Sequence, residues 1–301
     1  MQFEKNSLSC GIITYDENNI GDDSLKDEII EKYLIYNGNI IERESYNLCS
    51  DSTASIVYEV IRVIDGVPLF LEEHMDRLVK SSDMISMDIS PLSDSIASNI
   101  KKLIEINNKP AKNLKILACK GDKSHIDYSI FFIKSNYPQP ELYEKGTKTI
   151  LFNALRENPN AKVQNSGLRE RVNRALSESG AYEALLVNEA DEITEGSKSN
   201  VFFVKNNSLY TSPKQEVLLG VTRTRVIELA RSLGIEVIEA PIHKSFLERC
   251  DGLFITGTSP KVLPISKVDA FNYASSKNET ILAIMEAYDS LIEDYIEKLE
   301  D

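Results

Sequence analysis

The pattern of apolar and polar positions is weak at the start of the chain and becomes regular after it. Residues 1–30 are acidic and mostly polar, so we expect them to form an extension outside the core. Two short apolar runs, 34–36 and 40–41, flank Asn37-Gly38, a dipeptide typical of two-residue hairpin turns. A hairpin is therefore predicted there, and the next predicted strand covers 56–64.

Further along the chain, helical and strand-like patterns are mixed. The last helix is predicted to bury one apolar stripe, made of Ile281, Leu282, Met285, Tyr288, Ile292, Tyr295 and Leu299. The predicted helices cover 72–84, a stretch that starts at Pro91, 166–178, 222–233 and 279–299. The other predicted strands cover 67–70, 114–118, 128–134, 147–152, 184–187, 200–204, 235–239 and 253–256. Because strands and helices do not alternate strictly, the pattern predicts an α+β (mixed α/β) fold rather than a doubly wound sheet.

Two prolines among polar residues interrupt the pattern near the middle of the chain. They lie at Pro138 and Pro140, and we interpret 137–145 as a linker between domains. The predicted organisation is thus an N-terminal extension over 1–30, a small domain over 31–136, and a larger domain over 146–301.

Composition and charge narrow the classes of function. Lys and Arg total 34 and Asp and Glu total 47, which gives a net charge of −13 and argues against a nucleic-acid partner. No apolar run reaches the roughly 20 residues that span a bilayer, and the N-terminus lacks a signal-peptide pattern. The four cysteines and three histidines are scattered, which argues against a metal site or a disulfide framework. We expect a cytoplasmic protein that acts on small molecules.

One candidate functional group is a carboxylate among small polar residues. Glu195 lies in Thr194-Glu195-Gly196-Ser197, between two predicted strands. It is either an exposed glutamate in a polar loop or a carboxylate held on a tight turn and presented to a cation, where the glycine lets the backbone approach a ligand. Spacing alone leaves both interpretations open.

Two other segments are candidates for binding a small anion. Gly220-Val221-Thr222 opens a predicted helix, and the first N–H groups of a helix bind phosphate or carboxylate readily. In the alternative interpretation, Thr222 only caps that helix. Thr256-Gly257-Thr258 forms a second turn of small residues and offers further hydroxyl and N–H groups.

Three basic residues complete the set of candidates. Arg77 is either a surface arginine paired with Glu73 on the same helix face or a phosphate ligand, since a guanidinium fits phosphate oxygens bidentately. His74 is expected to be a buried packing histidine. Lys162 follows Pro159 and is expected to be partly buried, and a desolvated lysine can act as an amine nucleophile. Spacing does not separate it from the other lysines.

Taken together and in order, these segments resemble the class IV pyridoxal-phosphate aminotransferases. This family includes branched-chain aminotransferases, D-amino acid aminotransferases and aminodeoxychorismate lyases. The resemblance runs from about Tyr33 to the C-terminus. The motifs that carry it are V-Y-E-V-I-R at 57–62, E-H-M-D-R-L at 73–78, E-A-L-L at 183–186 with T-E-G-S-K-S-N at 194–200, L-G-V-T-R at 219–223, and G-T at 257–258.

The resemblance implies a fold, a cofactor and a set of roles. The fold is the two-domain fold type IV, with a small N-terminal α/β domain and a larger C-terminal pseudo-barrel domain. Lys162 would hold pyridoxal 5′-phosphate as an internal aldimine, and Glu195 would keep the pyridine nitrogen protonated. Tyr58 would line the substrate side. The residues that would anchor the phosphate are Arg77, Val221, Thr222 and Thr258. Family active sites are completed by a neighbouring subunit, which implies a homodimer.

The implied activity is a ping-pong transfer of an amino group from an amino acid to a 2-oxo acid. An L-amino acid of branched-chain type is favoured, because the stretch Cys119–His125 lacks the Arg-x-His pair of the D-specific members, although Lys123 and His125 share its spacing. The glycines of the branched-chain motif around Tyr58 are also missing. The alternatives are a lyase that makes 4-aminobenzoate, a D-amino acid aminotransferase, and a non-catalytic metabolite-binding homologue.

Overall fold

The computed structural model describes residues 27–46, 56–120, 125–156 and 159–300, and these form a mixed α/β fold built on two sheets. The strands are β1 (Tyr33–Tyr36), β2 (Asn39–Glu42), β3 (Ile56–Ile64), β4 (Val67–Pro68), β5 (Asn113–Lys120), β6 (Ile126–Ile133), β7 (Thr147–Asn153), β8 (Glu183–Val187), β9 (Ile193–Gly196), β10 (Asn200–Lys205), β11 (Ser208–Thr211), β12 (Val237–Glu239), β13 (Gly252–Gly257), β14 (Lys261–Val268) and β15 (Phe271–Asn272). The α-helices are α1 (Leu71–Met84), α2 (Ser93–Ile106), α3 (Pro140–Lys145), α4 (Ser166–Ser179), α5 (Val221–Ser232) and α6 (Glu279–Glu300). Among these residues, no helix is both long enough and apolar enough to cross a membrane.

The first sheet is antiparallel and has the strand order β2-β1-β6-β5-β3-β4. Burial alternates strictly along β3, as expected for a strand whose two faces meet different surroundings. Its buried residues pack with apolar residues of α1 and α2, among them Val57, Ile61, Leu78 and Ile100. Tyr58 and Glu59, which follow Val57 in β3, contribute to the site described below.

The predicted hairpin is confirmed at the start of this sheet. Tyr33 pairs with Glu42 and Tyr36 pairs with Asn39. Asn37 and Gly38 both have positive φ angles, of 47° and 81°, as a type I′ hairpin turn requires. The strand over 56–64 is also confirmed. The predicted return strand over 67–70 is shorter, because the chain leaves the sheet after Pro68 and enters α1.

The second sheet has nine strands and curls into a half-barrel. Eight follow the order β12-β11-β10-β13-β14-β7-β8-β9, and β15 pairs with β14. Helix α4 packs on β8 through Leu168 and Val172. Helices α5 and α6 cover a different apolar cluster, in which the rings of Phe202 and Phe254 stack with centroids 5.1 Å apart. The fold expectation of a mixed α/β protein with a pseudo-barrel is confirmed.

The predicted stripe of the last helix is only partly correct. Ile281, Tyr288 and Ile292 are buried, but Leu282 is 43% exposed and Leu299 is 55% exposed. Ile284, which the prediction left out, is fully buried. The buried face follows spacings of three and four residues, and Leu282 lies one position off that face.

Two other expectations about order along the chain need correction. Ile29, near the end of the predicted extension, is fully buried and bridges to Ile133, so this part of 1–30 belongs to the core. Residues 1–26 lie outside the described part of the chain. Within the predicted linker, residues 140–145 form α3, which begins with Pro140 at a helix N-terminus where proline is well tolerated. The domain boundaries themselves stay a prediction.

The sequence pattern missed four strands, namely β9, β11, β14 and β15. Strand β14 contains Pro264, which argues against a strand in a sequence pattern because proline cannot donate to a neighbour. Proline is tolerated there because the pairing with β7 begins only at Ile265, so Pro264 has a ladder partner only on β13. Strands β9 and β11 have four residues each, with too few apolar positions to show a period.

Candidate active site

Lys162 lies on a short extended segment held between β3 and α1. The Tyr58 N–H donates to the Lys162 carbonyl at 3.1 Å, and the Gln164 N–H donates to the Ile56 carbonyl at 3.0 Å. The Lys162 N–H donates to Ser81 Oγ at 3.1 Å. The backbone of this lysine is therefore fixed on both sides, and its half-buried side chain extends from a rigid base.

The amine of Lys162 lies over the ring of Tyr58, with Nζ 4.7 Å from the ring centroid. Burial lowers the pKa of Lys162, and the cationic groups of Arg77 and Arg156 lower it further, while Tyr58 and Glu59 oppose this lowering. The positive charge of Lys162 lowers the pKa of Tyr58 to about 8, against the effect of burial. Each group thus shifts the pKa of the other: the charged amine favours ionisation of the Tyr58 phenol, and the ionised phenol favours protonation of Lys162.

Arg77 is held by a buried carboxylate. Arg77 Nε and Nη2 donate to the two oxygens of Glu59 at 2.7 and 2.6 Å, and His74 Nδ1 lies 2.8 Å from Glu59 Oε2. Burial of Glu59 opposes its ionisation, but the charge and hydrogen bonds of Arg77 and His74 lower its pKa to about 2. Arg77 therefore does not pair with Glu73 along α1. Glu73 forms an ion pair with Arg225 instead. His74 is buried and hydrogen-bonded, as the sequence predicted.

Glu195 is buried in β9, so the interpretation of an exposed loop glutamate is wrong. One carboxylate oxygen accepts from the Leu218 N–H at 3.1 Å, and the other lies 3.3 Å from Arg156 Nε. Asn200 Nδ2 is 3.5 Å from the first oxygen. Burial raises the pKa of Glu195, while Arg156, the Leu218 N–H and Lys162 oppose this rise. The arrangement keeps a carboxylate within electrostatic reach of the lysine.

The turn that follows Glu195 is fixed by a second buried glutamate. Glu183 accepts hydrogen bonds from Ser197 Oγ at 2.6 Å, from Ser199 Oγ at 3.0 Å and from the Lys198 N–H at 3.1 Å. Because these three donors span the whole turn, Glu183 sets the path of the chain between β9 and β10. Its role is to hold the strand end that carries Glu195.

Helix α5 begins beside Arg77 with a close backbone approach. Arg77 Nη1 donates to the Leu219 carbonyl at 3.2 Å, immediately before the helix. A Cβ atom on Gly220 would lie 2.2 Å from Asn200 Oδ1, so only glycine fits there without a shift. The Asn200 amide donates to the Leu218 carbonyl at 2.8 Å. The first two residues of α5, Val221 and Thr222, have N–H groups that cannot be satisfied within the helix, which is the arrangement that favours an anion.

The structure also shows what the two candidate threonines contact. Thr222 does not cap α5, because the N-cap residue is Gly220, and the Thr222 hydroxyl instead accepts from the Tyr288 hydroxyl at 3.4 Å. Thr258 Oγ1 donates to the Val60 carbonyl at 3.2 Å, which joins the turn after β13 to β3. Thr258 therefore lies beside the strand that carries Tyr58, and Thr222 lies beside α6.

Comparisons with known proteins agree with this geometry. The family model for amino-transferase class IV matches residues 56–268. A putative branched-chain-amino-acid aminotransferase of Methanocaldococcus jannaschii is 32% identical over 226 residues, which cover 71% of this chain and 78% of that protein. A D-alanine aminotransferase of Bacillus licheniformis is 28% identical over 251 residues, which cover 78% of this chain and 88% of that protein.

Solved structures show the same fold. The branched-chain amino acid aminotransferase of Escherichia coli superposes with a TM-score of 0.79 at 25% identity, over 87% of this chain and 95% of that one. The branched-chain amino acid aminotransferase of Thermobaculum terrenum, in its PLP-form, has a TM-score of 0.77 at 24% identity, over 89% of this chain and 95% of that one. Because each likeness extends over most of both chains, it concerns both sheets and the helices that cover them.

The chain belongs to the class IV aminotransferases and is a pyridoxal-phosphate-dependent transaminase. The residues present fit that cofactor. A guanidinium, a helix N-terminus and a glycine with no room for a Cβ suit a phosphate, and a buried carboxylate suits a protonated ring nitrogen. A half-buried amine with a lowered pKa suits attachment to an aldehyde.

Sequence reasoning did not assign four residues of this region. Glu59, Arg156, Glu183 and Asn200 all contact a predicted site residue or its turn, yet none was given a role. Glu59 carried a signal, since a glutamate inside the apolar strand β3 has to find a buried partner. Asn200 also carried a signal, since it ends the same motif, 194–200, that contains Glu195. Arg156 carried none, because Glu195 is far from it in sequence and the two meet only in the folded chain.

Proposed function

We propose that this transaminase transfers the amino group of an L-amino acid of branched-chain type to a 2-oxo acid in two half-reactions, with pyridoxal phosphate linked to Lys162. The single observation that carries the proposal is the convergence of three groups. The Lys162 amine interacts electrostatically with both Arg77 and Glu195. Such a set can bind a phosphate, supply an amine and hold a ring nitrogen protonated.

The roles follow from the chemistry of each side chain. When bound, pyridoxal phosphate supplies a ring that accepts the electron pair left by the substrate when a bond at Cα breaks. Once the amino group of the substrate has replaced it on the cofactor, the freed Lys162 amine would take the proton from Cα and return it to the cofactor carbon, which its lowered pKa favours. Glu195 stabilises the positive charge on the ring nitrogen, and that charge is what makes the ring an acceptor.

The other end of the site binds the phosphate. Arg77 supplies the cationic side chain, and Glu59 orients it by two hydrogen bonds. The N–H groups of Val221 and Thr222 and the turn that carries Thr258 provide the remaining donors. The ring of Tyr58 lies against the Lys162 amine, which supports a role for Tyr58 in lining the substrate side.

Two observations support the preference for an L-donor. Relatives named as branched-chain enzymes match this chain at up to 32% identity, although relatives named D-alanine aminotransferase match at 28%. In addition, His125, which shares the spacing of the D-specific Arg-x-His pair, is exposed and lies 3.9 Å from Asp127. Lys123, the other member of that spacing, lies outside the described residues.

An absorbance titration tests the proposal. The purified protein loaded with pyridoxal phosphate is titrated separately with L-leucine, L-glutamate and D-alanine. We expect an L-donor to convert the band of the lysine-linked cofactor to that of the pyridoxamine form, and 2-oxo acid to restore it. Conversion by D-alanine alone would contradict the L-specificity, and a band that no donor changes would contradict transamination.

The family resemblance supports two further proposals about organisation. The first is a homodimer in which a neighbouring subunit completes each site, and sedimentation as a monomer at assay concentration would contradict it. The second is the division into a small domain over 31–136 and a large domain over 146–301. Limited proteolysis that cuts first within 137–145 would support it, and first cuts elsewhere in the described chain would count against it.

A further inference from the structure

The start of helix α1 connects the two apolar cores of the protein. Within the helix, Leu71 and Leu78 pack in the cluster of the first sheet. The two residues before the helix, Leu69 and Phe70, pack instead in the cluster that α5 and α6 cover. The helix that carries Arg77 is therefore attached to the second sheet at its N-terminal end.

Phe70 has a left-handed backbone conformation, with φ of 53° and ψ of 44°, directly before the first residue of α1. A bulky residue rarely adopts this conformation, because it strains the backbone, so the surroundings have to hold it there. The residue is 3% exposed, and its ring centroid lies 4.9 Å from that of Tyr295 in α6. The Tyr295 hydroxyl accepts from the Leu71 N–H at 3.3 Å and donates to Glu72 at 2.9 Å. These contacts anchor the N-terminus of α1 on α6.

Arg225 of helix α5 contacts the same aromatic ring. Its guanidinium carbon lies 5.4 Å from the centroid of the Phe70 ring, a distance at which a cation is attracted to an aromatic ring. The guanidinium forms an ion pair with Glu73 in the first turn of α1, and another with Glu228 at 3.1 Å within α5. The side chains of Arg225 and Glu73 are only 30% and 32% exposed, so salt and water screen their attraction less than that of a surface pair.

Two polar contacts thus link α1 to α5. One is the Glu73–Arg225 ion pair, and the other is the donation from Arg77 Nη1 to the Leu219 carbonyl at 3.2 Å, just before α5. Glu73 and Arg77 are four residues apart and therefore lie on the same face of α1. Glu59 orients Arg77 from the side of β3, whereas the Glu73–Arg225 pair ties the helix that carries Arg77 to α5.

We propose that Arg225 is a positioning residue for the phosphate end of the site. By pairing with Glu73 and contacting the Phe70 ring, it holds α1 against α5, so that Arg77 and the first N–H groups of α5 bind the same phosphate. The inference rests on the proposed function in so far as Arg77 and this helix end bind pyridoxal phosphate. Arg225 then acts through the ion pair and not through direct attraction of the phosphate.

The test separates these two effects with a pair of matched variants. Arg225→Gln removes a positive charge and Glu73→Gln removes a negative charge, but both remove the same ion pair. If Arg225 attracted the phosphate directly, the two changes would have opposite effects on affinity. If the pair positions Arg77, both changes weaken binding, and the double variant binds about as strongly as either single variant.

The dissociation constants of pyridoxal phosphate, and of pyridoxal, which lacks the phosphate, are measured by absorbance on the full-length cofactor-free proteins. Arg225→Gln and Glu73→Gln are each expected to bind pyridoxal phosphate about 3- to 10-fold more weakly and to bind pyridoxal as the wild type does. Arg225→Lys keeps the charge and should recover most of the affinity. Arg231→Gln is the control and should change neither constant, because it removes a 60% exposed arginine from the same helix.

Unchanged affinity for pyridoxal phosphate in Arg225→Gln, or tighter binding in Glu73→Gln, would overturn the inference. An equal loss of affinity for pyridoxal would also overturn it, because the effect would then not concern the phosphate end.

These outcomes are separate from failure of the proposed function. A wild type that binds pyridoxal phosphate with this dependence on the ion pair, yet shows no transamination, would support the inference and contradict the proposed function. A wild type that does not bind pyridoxal phosphate would overturn both.

Discussion

The carboxylate of Glu59 receives two hydrogen bonds from the guanidinium of Arg77, from Nε at 2.7 Å and from Nη2 at 2.6 Å. The pair joins strand β3 to helix α1 and leaves Nη1 directed at the Leu219 carbonyl, at the start of α5. Because Glu59 is fully buried, this orientation of Arg77 is fixed before any phosphate arrives. The finding gives a physical reason for a glutamate next to Tyr58.

Replacing Glu59 should destabilise the protein. Glu59→Gln leaves the Arg77 charge with a neutral partner, and breaking a buried ion pair in this way costs about 3–5 kcal/mol. The measurement is urea unfolding at pH 7. Glu105→Gln is the control, because its pair with Lys109 is exposed and should contribute less than about 1 kcal/mol. Equal stabilities for the two variants would contradict the role given to Glu59.

The same carboxylate predicts a dependence of stability on pH. The folded pKa of Glu59 is about 2, below its ordinary value of 4.5, so it stabilises the folded state at pH values above 4.5. This contribution is lost as the pH falls from about 4.5 towards 2. The difference in the free energy of unfolding between wild type and Glu59→Gln should therefore shrink over this range. A difference that stays constant down to pH 2.5 would contradict the lowered pKa of Glu59.

Tyr58 should show an ionisation that a surface tyrosine lacks. The charge of Lys162 lowers the pKa of Tyr58 to about 8, so an ultraviolet difference titration of the cofactor-free protein should show one tyrosine ionising near that pH. Tyr58→Phe should lose this step. Tyr143→Phe should keep it, because burial raises the pKa of Tyr143 to about 12. A step near pH 8 that survives in Tyr58→Phe would assign it to another group.

Arg156 should keep Glu195 ionised. Burial raises the pKa of Glu195 and the Arg156 charge opposes this, so Arg156→Gln should raise that pKa further. We expect transamination to fall by about 10- to 100-fold, as for loss of a hydrogen-bonded charge, with a larger loss at lower pH because more of the carboxylate is then protonated. The readout is kcat against pH. Arg174→Gln, which removes an exposed arginine on α4, should leave the profile unchanged.

Gly220 should not tolerate a side chain. In Gly220→Ala the new Cβ would lie 2.2 Å from Asn200 Oδ1, so Asn200 or the start of α5 has to move. We expect a loss of about 1–3 kcal/mol in the free energy of unfolding and weaker binding of pyridoxal phosphate. Gly167→Ala in α4 is the control, since its Cβ would meet nothing closer than 4.0 Å and alanine favours a helix. Similar effects of both changes would show that the close approach is unimportant.

Most elements of this fold were predictable from local patterns. The strand over 56–64 alternates because its two faces meet different surroundings, and the hairpin at Asn37-Gly38 has a turn whose backbone needs those two residue types. The failures also have local causes. Pro264 concealed β14, and the one-position error at Leu282 came from assigning a stripe by apolar character instead of by helical spacing.

The site was only partly predictable, for a different reason. Lys162, Glu195 and Arg77 were chosen by resemblance, because spacing alone left each of them ambiguous. The choice between a helix-face pair and a phosphate ligand for Arg77 depended on Glu59, whose side chain meets it across β3 and α1. The Arg156 contact with Glu195 joins two segments far apart in sequence, and no local pattern predicts such a contact.

The central claim is that Lys162 is the amine that holds the cofactor, and reductive trapping tests it most directly. The protein loaded with pyridoxal phosphate is reduced with borohydride and digested, and the modified lysine is located by mass spectrometry. The account predicts a single modified peptide that contains Lys162, and no trapping in Lys162→Ala beyond that of a denatured control. Stoichiometric modification at Lys198 or at any other lysine, with Lys162 unmodified, would contradict it.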